Sequence, residues 1–435
     1  MRRARVAPTL PALAAGLALA LALALGLGLA AAREPAPPAA PSARADVAKA
    51  LGLSGAEVEA ILAHGPWPPP FEPDPTNRGS GVPAAIELGR RLFVDRRLSG
   101  DGRRACIGCH RPPLGFSDGR ARSPDNDGRP LDRNSPALLD ARLHHWFGWD
   151  GAADSLWAFT LRPMADPREL ATDDDRLAAA LDGDPALACL RRAAFGERPA
   201  APQGLRVQAA KALAAFVETL DSPRTPFDEL RDALERGDAA AALAYPADAL
   251  RGLRRFVGDA RCSLCHAGPA FTNGEFHDTG RPFMAAPGRP DPGRHGGIRA
   301  VLADPHNRLG AWSDAADPAV GVRTRHLAPE HRNFGEFRVP GLRGAAFTAP
   351  YGHDGSLATL EDVIAHYADP PLERLHSDGE SLLRPLGPDP ATRAELAAFL
   401  RTLSARPRSA PPRAVAAASD PTVRACVARP AAPSP

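Results

Sequence analysis

Two pentapeptides contain the residues of this chain that are best suited to chemistry: CIGCH at residues 106–110 and CSLCH at residues 262–266. The spacing C-x-x-C-H is that of covalent c-type haem attachment. The two thiols bond to the porphyrin edge, and the adjacent histidine supplies an axial imidazole to the iron. We therefore predict two covalently bound haem c groups, one at Cys106, Cys109 and His110, the other at Cys262, Cys265 and His266.

A disulfide and half of a zinc site are the alternative interpretations of C-x-x-C. A zinc site needs two pairs of ligands held together, whereas each pair here is followed by its own histidine at the attachment position. Haem attachment is therefore the favoured interpretation of both motifs.

The sequence around the motifs is also repeated. LGRRLFVDRRLSGDGRRA precedes the first motif and LRGLRRFVGDAR the second, so that Gly89 and Phe93 match Gly252 and Phe256 at the same i, i+4 spacing. The segments that follow, RPPLGFSDG and AGPAFTNG, match as well. The repeat predicts a duplicated cytochrome-like unit in which a helix with glycine and phenylalanine leads into each motif.

Composition excludes few folds but bears on partners. The 435 residues, 44% of them hydrophobic, are enough for one large or two medium domains. With 53 basic and 51 acidic residues the net charge is +2, so nothing indicates a nucleic-acid partner.

The N-terminus has the organisation of a secretory signal. Arg2, Arg3 and Arg5 precede an Ala/Leu/Gly run from about Leu10 to Ala32. Residues 1–32 are therefore predicted to be a signal peptide, although the run is also long enough for an uncleaved membrane anchor. Both alternatives predict export and a periplasmic location.

The rest of the chain shows mainly helical patterns. Ser54 and Glu57 form a possible capping box before an N-terminal helix. Helical periodicity recurs at Val207–Leu220, Thr359–Tyr367 and Thr392–Leu403, with Thr392 and Glu395 as another capping box. Alternating strand patterns are scarce, and residues 280–340 are expected to form a long ordered loop.

The resulting domain prediction has four parts after the leader. Residues 33–84 form a Pro-rich linker with the N-terminal helix, residues 85–225 the first haem domain, residues 240–405 the second, and residues 406–435 a disordered tail. Of the two remaining cysteines, Cys189 is expected to be a small core residue and Cys426 a free thiol in the tail. A bridge between them is the alternative.

Several motifs resemble the bacterial diheme cytochrome c peroxidases over about residues 85–405. They are RNSPALLDA, WFGWDGAADSL and DPRELA in the first half, and FRVPGLRGAAFTAPYGHDGS and TLEDVIAHY in the second. The resemblance implies an all-α fold of two cytochrome c-like domains, in which one haem reacts with hydrogen peroxide and the other passes electrons to it. MauG-type enzymes, which oxidise tryptophans on a partner protein, belong to the same family.

The resemblance also implies roles for individual residues. His110 would bind the peroxide-reactive haem and His266 the electron-transfer haem, with Trp149 between them. Glu169 would be the acid that moves a proton from one peroxide oxygen to the other. The alternatives are a solvated charge at a helix start for Glu169 and a core aromatic for Trp149.

A calcium ion between the haems is the last element that the resemblance implies. Its ligands would be the side chain of Asn134 and the backbone carbonyls of Thr348 and Pro350. Hard oxygen ligands from separate loops suit calcium.

Two departures from the family pattern favour its MauG-like branch. No histidine lies between residues 111 and 133, so the first haem is predicted to be open and five-coordinate. Tyr367 stands fourteen residues after His353, where many members have methionine. As an iron ligand, tyrosinate would lower the potential. The alternatives are ligation by His366 and a core role for Tyr367.

Two further departures concern the first haem pocket. Phe159 occupies a position where the family often has glutamine, and Ala152 one where it often has arginine. Phe159 cannot hydrogen-bond to peroxide, so a less polar pocket is expected.

The predicted function is therefore that of a periplasmic peroxidase-family oxidoreductase, with hydrogen peroxide and a small electron-donor protein or a protein substrate as partners. The alternatives are a diheme electron carrier without turnover, a MauG-type oxidase of partner tryptophans, and a haem-based sensor. The sequence leaves the oligomeric state open.

Overall fold

The computed structural model describes residues 41–281, 284–286, 288–371, 373, 378, 382–387, 389–406 and 411–428. The leader predicted at residues 1–32 lies outside them. No helix in these described ranges is both long and apolar enough to cross a bilayer.

The described chain is mostly helical, in agreement with the all-α prediction. Its α-helices are α1 (Pro41–Ala50), α2 (Gly55–Leu62), α3 (Pro83–Val94), α4 (Leu156–Ala165), α5 (Asp174–Gly183), α6 (Pro185–Phe195), α7 (Pro202–Val217), α8 (Pro226–Arg236), α9 (Ala239–Leu243), α10 (Ala247–Val257), α11 (Arg294–Ala303), α12 (Val322–Arg325), α13 (Leu360–Ala368), α14 (Pro390–Thr402), α15 (Pro412–Ala418) and α16 (Pro421–Val427).

Strands are short and form two antiparallel pairs. β1 (Phe276–His277) pairs with β4 (Phe337–Arg338), and β2 (Met284–Ala286) pairs with β3 (Arg289–Pro290). The expectation of a continuous loop over residues 280–340 is wrong, because α11, α12 and these strands interrupt it.

The first hydrophobic core is built around the crossing of α3 and α7. Gly89 lies at the crossing, where an added Cβ would overlap the carbonyl of Ala212 and lie 2.9 Å from Cβ of Phe216. Only glycine allows the two backbones to approach this closely. Phe93, one turn later, packs edge-on against Phe216 with 5.3 Å between ring centroids.

The second core repeats this crossing with α10 and α14. An added Cβ at Gly252 would overlap the carbonyl of Glu395 and lie 2.9 Å from Cβ of Phe399. Phe256 lies 4.9 Å from Phe399, centroid to centroid. The helix repeat predicted from glycine and phenylalanine is therefore confirmed, and its physical basis is a close helix crossing.

The N-terminal helices α1 and α2 pack into the second core together with α8. Ser54 and Glu57 form the predicted capping box of α2, in which the Ser54 backbone N–H donates to the Glu57 carboxylate at 2.7 Å. The other box, at Thr392 and Glu395, is wrong. Helix α14 begins earlier, and the Thr392 N–H donates to the N-cap Asp389.

The prediction of a disordered tail is wrong for residues 411–428. Helices α15 and α16 pack against α3 and α6, and Ala414, Ala417 and Val423 are buried there. Cys426 forms a disulfide with Cys189 across a sequence separation of 237 residues, with 5.4 Å between the Cα atoms. The expectations of a free thiol and an unbridged core cysteine are therefore also wrong.

Candidate haem sites

The first motif forms a tight 3-10 turn at Cys106–Gly108, and both thiols, of Cys106 and Cys109, are free. His110 follows the turn, and its Nδ1 lies 2.9 Å from the carbonyl oxygen of Phe116. Because a carbonyl only accepts, Nδ1 carries the proton and Nε2 keeps its lone pair. This tautomer is the one that a metal-ligating imidazole needs.

The second motif repeats the same arrangement. Cys262–Leu264 forms a 3-10 turn, and Nδ1 of His266 donates to the carbonyl of Phe271 at 3.0 Å. Enclosure by protein lowers the pKa of His266 to about 4, so the ring is neutral at physiological pH. Both histidines are therefore prepared as neutral ligands through Nε2.

A large cavity adjoins the second motif. Its volume is about 1450 Å³, and its lining includes Cys262, Cys265, His266 and Tyr367. Ligand pockets usually measure roughly 300–1,000 Å³, so there is room for a porphyrin-sized group. Free thiols, a neutral imidazole and this space together fit a haem.

Tyr367 reaches this cavity from helix α13, whose start at Thr359 and Asp362 has a capping box. Burial raises the pKa of Tyr367 to about 12. The neighbouring His366 also lines the cavity, but its Nε2 donates to the carbonyl of Thr279 at 2.7 Å. This engagement favours Tyr367 over His366 as a candidate iron ligand.

Trp149 and the proposed calcium ligands line the same cavity. The indole Nε1 of Trp149 donates to the carbonyl of Asn134 at 2.9 Å. The amide nitrogen of Asn134 donates to the carbonyl of Arg120 at 2.9 Å, which leaves Oδ1 as its acceptor atom. Thr348 and Pro350 share this cavity with Asn134, so the structure brings the predicted set to one region.

These calcium candidates are amide and carbonyl oxygens. Among the residues described, no group of three or more His, Cys, Asp or Glu side chains could hold a metal ion.

Glu169 lies in a turn beyond α4, where its backbone N–H donates to the Asp166 carbonyl at 3.0 Å. The alternative of a charge at a helix start is therefore wrong. Burial, and secondarily the negative charge of Asp166, raise the pKa of Glu169. The carboxylate is close enough to raise the pKa of the Cys106 and Cys109 thiols, after the larger effect of their burial.

The side chains at the two other departures are apolar and buried or half-buried. Ala152 is buried, and Phe159 packs against the first core close to Gly148. These contacts agree with a less polar environment than glutamine and arginine would provide.

Three buried arginines that line the cavity at the second motif were missed from the sequence: Arg294, Arg338 and Arg343, of which Arg343 is paired with Asp228. Arg338 follows Phe337 in the FRVP segment, and Arg294 begins α11. The only sequence signal was a cation next to apolar residues, which does not distinguish a buried arginine from an exposed one.

Comparison with known proteins identifies the class. The model of the family "Di-haem cytochrome c peroxidase" matches residues 83–235. "Methylamine utilization protein MauG" of Methylorubrum extorquens is 36% identical over 326 residues, which cover 75% of this chain and 80% of the relative. "Cytochrome-c peroxidase IdrP2" of Pseudomonas sp. (strain SCT) is 33% identical, with 75% and 83% covered.

A solved structure of similar fold is described as a "MauG-like protein associated with microbial copper homeostasis". It is 27% identical with a TM-score of 0.56, and the match covers 80% of this chain and 98% of that one. The chain therefore belongs to the di-haem cytochrome c peroxidase family. It is a peroxidase-like oxidoreductase, and its family implies two haem cofactors.

Proposed function

We propose that the protein is an exported peroxidase with two covalent haem c groups, one in each of two cytochrome c-like domains. Hydrogen peroxide would be reduced at the haem bound by Cys106, Cys109 and His110. The observation that carries this proposal is the repeated imidazole arrangement, in which Nδ1 of His110 and of His266 donates to a carbonyl six and five residues ahead.

The haem at His110 would supply the iron that takes part in the redox chemistry of peroxide. The chain's own contribution is Glu169, which has a raised pKa and whose negative charge acts on the thiols of this motif. Such a carboxylate can accept a proton from one peroxide oxygen and return it to the other. With two electrons and two protons, one hydrogen peroxide becomes two waters.

The sequence that follows the first motif supports direct reaction with peroxide. Residues 111–133 contain no histidine that could occupy the distal position. We therefore propose a first haem that reacts without prior reduction, as in the MauG-like branch.

The second site would exchange electrons or oxidising equivalents with the first. Trp149 is the proposed connection, because its indole binds the Asn134 carbonyl and faces the cavity at His266. Tyr367 is the proposed second ligand of this haem. A calcium ion at Asn134, Thr348 and Pro350 would hold the loops between the two sites together.

The reducing partner is proposed to be a small electron-donor protein in the periplasm or a protein substrate. A MauG-type reaction on partner tryptophans is the second candidate, and the 36% identity to a MauG protein is the observation that favours it. A diheme electron carrier would gain nothing from an open iron site.

The test is electron paramagnetic resonance and optical spectroscopy of the purified ferric holoprotein, before and after one equivalent of hydrogen peroxide. We expect a high-spin and a low-spin signal, both altered by peroxide without prior reduction. Tyr367→Phe is expected to change the low-spin signal, and His366→Phe to leave it. Two low-spin haems that are indifferent to peroxide would refute the proposal.

A further inference from the structure

Arg338 is a buried cation without a counter-charge at the wall of the cavity that adjoins the second motif. Only 7% of the residue is exposed, and it lines the same cavity as His266 and Cys262. No carboxylate of the described residues forms an ion pair with it, and burial alone lowers its pKa to about 10. An isolated buried charge is strongly unfavourable unless a partner compensates it.

The hydrogen bonds of Arg338 within the protein are weak. Nε lies 3.3 Å from the carbonyl oxygen of Gly148, and Nη1 lies 3.4 Å from both ring nitrogens of His144. Burial lowers the pKa of His144 well below its usual value, so this neighbour is neutral. The guanidinium therefore retains donor capacity for an anion in the cavity.

The backbone around Arg338 is held firmly. Its N–H donates to the carbonyl of Trp149 at 2.7 Å, and β4 pairs it with Phe276 of β1. A second buried arginine, Arg294, is 4% exposed, and its guanidinium lies 4.4 and 4.0 Å from the ring centroids of Trp146 and Phe276. The main chain of Arg338 is thus fixed to the carbonyl of Trp149, and its Nε lies 3.3 Å from the carbonyl oxygen of the preceding residue, Gly148.

We infer that Arg338 binds a propionate carboxylate of the haem attached at Cys262 and Cys265, next to Trp149. This inference rests on the proposed function, because it requires a haem at the second motif. A haem carries two carboxylates, and a buried arginine pairs with such an anion through strong charge-assisted hydrogen bonds. The same positive charge disfavours ferric iron and so raises the reduction potential of this haem.

The test is a spectroelectrochemical titration of the holoprotein with Arg338→Gln and Arg338→Lys. For Arg338→Gln we expect one haem to shift to lower potential, so that its oxidised-to-reduced ratio at a fixed potential rises at least tenfold, which is about 59 mV for one electron. Arg338→Lys keeps the charge and is expected to shift much less. The matched control is Arg323→Gln, which removes an exposed positive charge outside the cavity lining.

An oxidised-to-reduced ratio in Arg338→Gln that stays within twofold of the wild-type ratio at the same potential, for both haems, would overturn the inference. If that variant does not fold, a crystal structure of the wild-type holoprotein decides. A carboxylate oxygen of the second haem within hydrogen-bond distance of Arg338 supports the inference, and an inorganic anion or a protein carboxylate there overturns it. If a pyridine haemochrome assay finds two haems and the protein also reacts with peroxide, the proposed function stands even if this inference fails.

Discussion

The disulfide between Cys189 and Cys426 joins the C-terminal helices to the first core and closes a very long loop. In the chain-entropy account, a bridge over a sequence separation of 237 residues restricts the unfolded chain by about 5 kcal/mol. Measured values reach this figure only rarely, so we expect the loss of the bridge to lower the free energy of unfolding by about 3–5 kcal/mol. For a domain stable by roughly 5–15 kcal/mol, this is a large fraction.

The magnitude also depends on how firmly the tail docks without the bridge. Ala414, Ala417 and Val423 are buried against the first core. The guanidinium of Arg413 lies 4.1 Å from the centroid of the Phe71 ring and pairs with Asp221 at 3.0 Å. These contacts are few, so an unbridged tail is expected to open locally before the core unfolds.

The assay is equilibrium unfolding in urea together with limited proteolysis, on Cys189→Ser, Cys426→Ser and the double variant. All three are expected to lose the same stability, because each removes the same cross-link, and their m-values are expected to rise as the unfolded chain expands. Mass spectrometry of the digest is expected to show early cleavage of the tail. Val423→Ala is the control, since it removes buried methyl groups of α16 and keeps the bridge.

An unfolding free energy of the double variant within about 0.5 kcal/mol of the wild type would refute this reasoning. A tail that resists proteolysis as well as in the wild type would show that packing alone holds it. A loss in the Val423→Ala control as large as in the double variant would assign the effect to packing and not to the cross-link.

Three other predictions follow from local contacts. Gly89→Ala and Gly252→Ala are each expected to destabilise the protein by more than about 2 kcal/mol in urea unfolding, because the added Cβ overlaps a carbonyl. The control Gly183→Ala, with open space around it, is expected to change stability by less than about 1 kcal/mol. Equal effects of the three substitutions would contradict the argument from close helix crossings. Glu169→Gln is expected to lower peroxide turnover by roughly 10²–10⁴-fold with unchanged haem content. In the wild type, the raised pKa of Glu169 is expected to move the acid limb of the pH–rate profile to higher pH. Unchanged turnover in the variant would remove Glu169 from the mechanism. Burial raises the pKa of Glu218 to about 7, so its contribution to stability is present below its unfolded pKa of about 4.5 and is lost as pH rises through about 7. Glu218→Gln is expected to reduce the loss of stability between pH 5 and pH 8 by about 2–3 kcal/mol. Identical pH profiles of thermal unfolding for the variant and the wild type would argue against this role of Glu218.

The sequence by itself determined the features whose physical cause lies within a few neighbouring residues. The C-x-x-C-H spacing indicates attachment chemistry, and the i, i+4 pairs of glycine and phenylalanine predicted a helix before each motif. The capping box at Ser54 and Glu57 placed a helix start correctly because cap and partner are three residues apart. In each case the interacting groups belong to one turn or one helix.

The tertiary structure decided whatever depends on segments that are distant in the chain. The pairing of Cys189 with Cys426 requires that α16 docks on α6, and no local pattern encodes this docking. Periodicity does not decide whether Tyr367 is a ligand or a core residue, whereas the rival His366 is engaged by the carbonyl of Thr279, 87 residues away. Arg338 is buried without a carboxylate partner among the described residues, and its sequence neighbours do not indicate this. Burial, charge compensation and ligand competition depend on what surrounds a side chain in space, and that environment is a property of the folded chain.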